Sequence, residues 1–172
     1  MKARLLSTVL LFFFFFFFSQ KAENDSIPRK KIVAVKTNNT IKIDGIFDEE
    51  AWSKAPIATN FIQRSPENGV PVPDSLRTEV KILYDDTGVY FGAQMYDPHP
   101  EKIAKEMVER DNVGNDDIFG VVLNGYNDKQ QSLEFLVMPT GVQYDAKITN
   151  DNGEDSSWNG VWYSAAKINE KG

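Results

Sequence analysis

Two tryptophans late in the sequence, Trp158 and Trp162, carry side chains well suited to ligand binding. They flank Asn159 and Gly160 and lie next to a polar stretch. Aromatic rings can stack on the apolar C–H faces of a sugar ring, while polar groups at the rim supply hydrogen bonds. A structural role fits the same spacing, with Trp162 packed in the core and Trp158 covering one end of a sheet. Both interpretations stay open at this point.

A second group of polar residues, Arg110, Asp111 and Asp116, brackets a glycine-bearing loop. Arginine can form bidentate hydrogen bonds and carboxylates accept them, so these side chains could bind sugar hydroxyl groups. A local ion pair combined with turn capping explains the same residues equally well. Together with Trp158 and Trp162, they form the predicted carbohydrate-binding set.

An acidic stretch at residues 150–155 contains the oxygen ligands that calcium prefers. Asp151, Asn152 and Asp155 are the candidate ligands of such an ion. The spacing does not match an EF-hand loop, and a simple solvated loop has the same composition. Calcium is therefore the one cofactor that the sequence suggests, and it is weakly indicated.

Few residues in this sequence support catalysis. His99 is the single histidine and lies between two prolines, so a serine–histidine–aspartate arrangement is not indicated. With 25 acidic residues, some pair of carboxylates would always match the separation that glycosidases use, so that pattern carries little weight. Phosphate-loop, dinucleotide and zinc motifs are missing from the sequence. These features favour a binding module over an enzyme.

Period-2 alternation of apolar and polar residues predicts that the elements positioning these side chains are β-strands. Short, turn-rich connections make neighbouring strands antiparallel, which indicates an all-β antiparallel sandwich of the immunoglobulin or jelly-roll type. Short helices are predicted at 48–55, with Asp48 as N-cap and Trp52 as a core residue, and at 101–109. The predicted strands cover residues 32–34, 41–43, 78–84, 89–96, 117–126, 131–138, 142–149 and 160–168.

The N-terminal 22 residues have the layout of a secretory signal peptide. Lys2 and Arg4 precede an apolar block at 5–18, which is shorter than the roughly 20 apolar residues of a membrane span. A linker at 23–31 and one domain at 32–172 follow, and no transmembrane helix is expected in this mature part. We therefore expect an exported protein of the periplasm, the outer membrane or the extracellular space.

Composition narrows the possible partners. The chain has no cysteine, so its core must form without disulfides. Its formal net charge is −6, and it becomes more negative once the cationic signal is removed. A negative field repels phosphate backbones, so nucleic acid is excluded as a partner.

The segment 41–52, IKIDGIFDEEAW, resembles the opening of family 9 carbohydrate-binding modules. Several later stretches continue the resemblance in order along the chain. These are residues 78–86, 89–91, 97–98, 110–111, 116–117 and 158–162.

This resemblance implies a β-sandwich that binds the ends of plant polysaccharide chains, often beside a glycoside hydrolase. It is similar to modules that open large exported proteins of Bacteroidetes type, so the domain is expected to be truncated at its C-terminal end. Family members clamp a sugar between two tryptophans. One of those tryptophan positions matches Asn112, Val113 and Gly114 in this sequence. The other belongs to a C-terminal stretch that this sequence lacks. Phe119 also stands where family members have an acidic ligand contact.

We thus expect carbohydrate binding by a module appended to a larger envelope protein, supporting polysaccharide breakdown or uptake. The expected partners are an oligosaccharide or polysaccharide and the C-terminal region of the same protein. Two alternatives remain: a structural or docking domain of an outer-membrane protein that has lost the sugar site, and the N-terminal fragment of a glycoside hydrolase.

Overall fold

A computed structural model describes residues 30–172 of the chain. The predicted signal peptide, and the predicted linker as far as residue 29, lie outside the described residues. The segment from Ile32 to Gly172 forms one unit. Its strands are numbered β1 to β7 in chain order, and its single α-helix is α1.

The first sheet contains three strands in the order β1 (Val35–Lys36), β2 (Thr78–Tyr84) and β3 (Val89–Met95). β2 and β3 form an antiparallel hairpin, as the short turn between them predicted, whereas β1 pairs parallel to β2. The Asp85 carboxylate closes the hairpin turn by accepting the backbone N–H groups of Thr87 at 2.7 Å and Gly88 at 2.9 Å.

The second sheet is antiparallel throughout, with four strands ordered as they occur in the chain. Its register places Phe135 directly opposite Asp145, so both side chains lie on the same face. Tyr144 and Ala146 point to the other face. The strands are β4 (Phe119–Leu123), β5 (Gln131–Val137), β6 (Gln143–Thr149) and β7 (Gly153–Asp155).

This two-sheet, all-β architecture confirms the predicted sandwich class. Within residues 30–172, helical structure is limited to α1 (Glu50–Lys54) and two 3-10 turns, Asp74–Leu76 and Pro100–Lys102. The predicted cap was wrong: Glu49 occupies the N-cap position and its side chain makes no capping bond. None of the helices in the described residues has the length and apolar character of a membrane span.

The helix predicted at 101–109 was also wrong, since only its first two residues lie in a helical turn, the 3-10 turn Pro100–Lys102. The reason lies in two carboxylates that take the backbone N–H groups a helix would need. Asp117 accepts from Ala104 at 2.9 Å, and Asp116 accepts from Glu106 at 2.5 Å. These bonds hold the chain in a non-helical path between its 3-10 turn and β4.

The strand predicted at 160–168 has the right alternation but no partner strand. Trp162 and Ser164 are half-buried, whereas Val161 is 95% exposed and Tyr163 is 79% exposed. A strand requires a ladder of backbone bonds, and side-chain contacts hold this segment instead. The strand predicted at 41–43 likewise lies outside both sheets. β7 was not predicted, because all three of its residues are exposed and show no alternation with apolar residues.

Most buried apolar side chains of the described residues form two clusters, one on each sheet. In the first, Trp52 is 5% exposed and packs with α1 and β2, which confirms its predicted core position. The second cluster lies on the face of β6 opposite Asp145. The first comprises Ile41, Ala51, Trp52, Ala55 and Leu83, and the second comprises Met138, Tyr144 and Ala146.

Candidate functional site

Asp145, in the middle of β6, is the centre of a polar cluster. Its side chain is fully buried, at 0% exposure, and both carboxylate oxygens accept hydrogen bonds. Oδ1 accepts from the Arg110 guanidinium and from the Trp162 indole Nε1 at 3.2 Å, and Oδ2 accepts from the Gly160 backbone N–H at 2.5 Å. A buried carboxylate needs such donors, because its desolvation would otherwise be prohibitive. We call Asp145, Arg110, Gly160 and Trp162 the Asp145 cluster.

Arg110 is fixed against β6 by further bonds. Its Nη1 donates to Gln143 Oε1 at 2.5 Å, and its Nε lies 3.6 Å from Asp111 Oδ2. The backbone N–H of Asp111 donates to the Gln143 carbonyl at 3.0 Å, which anchors the loop to the strand. The Arg110 side chain remains 42% exposed, so part of the guanidinium is available to a ligand.

Three aromatic rings cover the same face of the sheet. Phe135 makes edge contacts with Trp162, at a centroid distance of 5.3 Å, and with Trp158, at 6.0 Å. Gly160 allows this packing, because a Cβ atom there would lie 2.9 Å from Trp158 Cη2 and 3.3 Å from Phe135 Cε1. The edge-on geometry is favourable for aromatic pairs and leaves both indoles half-buried.

The structure brings together four of the five predicted sugar-binding residues. Asp145 is surrounded by Arg110, Asp111, Trp158 and Trp162. Asp116 lies elsewhere: one oxygen binds the Glu106 backbone, and the other is buried without a partner among the described residues.

Sequence reasoning missed Asp145, and it also missed Gln143 and Phe135. A signal for Asp145 did exist, because an acidic residue stands between Tyr144 and Ala146 in the middle of the predicted strand 142–149. The structure buries all three residues. Charged residues are almost never fully buried unless they are paired. The partners themselves lie 15 to 35 residues away and were not predictable from local pattern.

The opposite face of the sheet carries a separate group of titratable side chains. The Tyr144 hydroxyl donates to Glu154, and burial together with that contact raises the pKa of Tyr144 to about 12. Burial also raises the pKa of Glu134, and the negative charge of Glu154 adds to this effect. The side-chain hydrogen bond of Tyr144 does not reach the Asp145 cluster.

The predicted calcium ligands have different surroundings. Asp151 lines a cleft of about 500 Å³ beside Thr149, and neither Asn152 nor Asp155 lines that cleft. The Asp155 carboxylate instead accepts from the Ser157 backbone N–H at 3.0 Å, and these bonds lower the pKa of Asp155. Among residues 30–172, no group of three or more histidines or carboxylates is placed to hold a metal ion.

Comparison with known proteins gives one match. A family model described as "Carbohydrate family 9 binding domain-like" matches residues 43–172, which contain β2 to β7 and the whole Asp145 cluster. No curated protein and no solved structure gives a significant match.

Proposed function

Because the chain belongs to the carbohydrate family 9 binding domain-like family, we propose that it is an exported carbohydrate-binding module of a larger envelope protein. Its ligand is an oligosaccharide or polysaccharide, and its role is to support polysaccharide breakdown or uptake. Family membership supports the binding of carbohydrate. The early cations and apolar block of the N-terminal sequence support export to the periplasm, the outer membrane or the extracellular space.

One observation carries the choice of binding surface: Arg110, Trp158 and Trp162 meet on one face of the second sheet. The guanidinium offers donors to sugar hydroxyls, and the indoles offer apolar faces to sugar C–H groups. The Trp158 indole N–H makes no hydrogen bond within the described chain and is not buried, so it is free to bind a ligand. We therefore place the ligand beside Trp158 and the exposed part of Arg110.

A second candidate function is a docking domain that keeps the sandwich without a sugar site. The Trp162 indole N–H is already bound to Asp145, and its ring packs on Phe135. These contacts are typical of a packed interior. Residues 112–114 also provide no aromatic ring where the resemblance places a clamp tryptophan.

A glycan array carrying xylan, cellulose, chitin and peptidoglycan fragments, probed with and without calcium, separates these two functions. We expect saturable binding to one glycan class. Trp158→Ala should weaken it by about tenfold or more, since truncation of a contacting tryptophan typically has effects of this size. Tyr126→Ala is the matched control, because this exposed aromatic residue lies in the β4–β5 turn, outside the site.

Three results would change the proposal. No binding by a chain that melts cooperatively would favour the docking domain. Binding that is unaffected by Trp158→Ala would place the ligand elsewhere on the chain. Binding only with calcium present would support the predicted Asp151, Asn152 and Asp155 ion.

A further inference from the structure

We propose that Asp145 is the positioning residue of the carbohydrate site: it does not touch the sugar but fixes Arg110 and Trp162 in the arrangement that binds it. The inference rests on the proposed function, and it assigns a role to a residue outside the predicted binding set.

Three hydrogen-bond donors converge on the Asp145 carboxylate. Arg110, Gly160 and Trp162 come from two segments on either side of β4 to β7, and each donates directly to Asp145. Both carboxylate oxygens are engaged and the side chain is fully buried. Asp145 is thus the common acceptor that joins the two halves of the candidate site.

Few other hydrogen bonds hold the segment that carries Trp162. Within the described chain, no backbone N–H from residue 161 to residue 168 makes a hydrogen bond. The remaining polar contacts come from Gln143 Nε2, at 2.9 Å from Ser164 Oγ and 3.5 Å from the Trp162 carbonyl. Two bonds to Asp145 and two to Gln143 therefore account for the directional attachment of this segment to β6, and the Asp145 bond is the one that holds the indole of Trp162.

Apolar and polar contacts restrain different motions of the Trp162 indole. Phe135 supports the indole of Trp162 by an edge contact, which restrains the tilt of the ring but is tolerant of rotation within its plane. A hydrogen bond is directional, so the contact from Nε1 to Asp145 fixes that rotation. Phe135 on β5 lies directly opposite Asp145 on β6. Together these two residues define a single orientation of the Trp162 indole.

Asp145→Asn tests this role with almost no change in side-chain volume. An amide has one acceptor oxygen and brings two N–H donors, whereas three donors already point at this position. At least one of the three bonds must be lost. Asp86→Asn is the matched control, because that carboxylate is 88% exposed, lies in the β2–β3 turn of the first sheet and, among the described residues, bonds only to Lys36.

The experiment combines near-ultraviolet circular dichroism of the full chain with titration by soluble oligosaccharides of cellulose and xylan. We expect Asp145→Asn to alter the tryptophan signal of the free protein and to lower affinity by about tenfold, the usual effect of losing a bond to a charged group. Far-ultraviolet dichroism should stay unchanged, and Asp86→Asn should alter none of these quantities.

The outcomes separate the two proposals. If Asp145→Asn keeps both the tryptophan signal and the affinity of the parent chain, the positioning role is wrong and the proposed function stands. If the parent chain binds none of the oligosaccharides while folded, the proposed function fails, and the positioning role fails with it.

A second variant keeps the test decisive if Asp145→Asn does not fold. Trp162→Phe removes the indole N–H but retains a ring against Phe135, so the fold should survive. We expect a loss of affinity of about fivefold, corresponding to one hydrogen bond. Unchanged affinity in this variant would overturn the role of Asp145 in orienting Trp162.

Discussion

Trp52 on the first sheet and Trp162 on the second both donate their indole N–H to a carboxylate, but the two regions are built differently. Trp52 binds Glu49 at 3.0 Å, three residues earlier in the same turn, and its ring is buried in an apolar cluster. Trp162 binds Asp145 at 3.2 Å, on a strand 17 residues away, and remains half-buried.

The difference indicates that Trp52 mainly stabilises the fold, whereas Trp162 is held in one defined orientation. Burial of an apolar ring is favourable in many orientations, because the hydrophobic effect has no direction. A buried carboxylate with three donors permits only one arrangement, because each lost hydrogen bond leaves a desolvated charge less well compensated. We infer that the first region contributes mainly stability and that the second contributes mainly geometry.

The largest expected effect is that of Trp52→Ala. Removal of a buried tryptophan should reduce the free energy of unfolding by about 3–5 kcal/mol, from lost burial and the cavity that remains. Urea denaturation followed by far-ultraviolet dichroism measures this loss. Among molecules that remain folded, sugar affinity should equal that of the parent chain, and a specific loss of affinity would break the proposed division between the regions.

A pair of glycine substitutions sharpens the comparison, because each region has a glycine packed against its tryptophan. A Cβ atom at Gly92 would lie 2.8 Å from Phe47 Cε1 and 3.1 Å from Trp52 Cη2. At Gly160 it would meet Trp158 and Phe135 at similar distances. Alanine at either position should lower the free energy of unfolding by about 1–3 kcal/mol, the usual cost of overpacking.

The two alanine variants differ in their expected effect on binding. Gly160→Ala should also weaken sugar binding, because it displaces Trp158, whereas Gly92→Ala should leave it unchanged. Thermal melting and oligosaccharide titration of both variants provide the measurements. Equal loss of affinity in the two variants would show that binding depends on overall stability rather than on the local packing of the second sheet.

The first region was largely predictable from sequence, and particular residues show why. Trp52 stands among Ala51 and Ala55 in a helical stretch that ends before Pro56, and the core position follows from this local pattern. The β2–β3 hairpin follows from strict alternation around a four-residue turn. Both depend on neighbours in sequence, which local rules describe well.

The second region was only partly predictable, because its geometry depends on strand register. Alternation located β5 and β6, but only their register places Phe135 opposite Asp145. Residue type alone identified Trp158 and Trp162 as candidate binding residues. The Asp145 carboxylate joins Trp162 to Arg110 through contacts between residues far apart in sequence, which local pattern does not reveal. Local rules also predicted a strand at 160–168, because they detect alternation and not the presence of a partner.

The smallest effect at neutral pH concerns the other face of the second sheet. Burial and the contact with Glu154 raise the pKa of Tyr144 to about 12, whereas an unfolded tyrosine titrates near 10. The folded state therefore disfavours the tyrosinate. The stability contributed by Tyr144 is complete below about pH 10 and is lost as pH rises through about 12.

Urea denaturation between pH 8 and pH 12, paired with absorbance of tyrosinate at 295 nm, measures the loss of stability at alkaline pH. It tests whether this loss arises from Tyr144 on the second sheet. Tyr144→Phe should remove part of the loss, because the group that titrates is gone. Tyr163→Phe is the control, since its side chain is exposed and should leave the pH profile unchanged. An alkaline profile identical in the parent chain and Tyr144→Phe would mean that Tyr144 ionises no later than an unfolded tyrosine. The surroundings of Tyr144 on the second sheet would then exclude water too poorly to disfavour the tyrosinate.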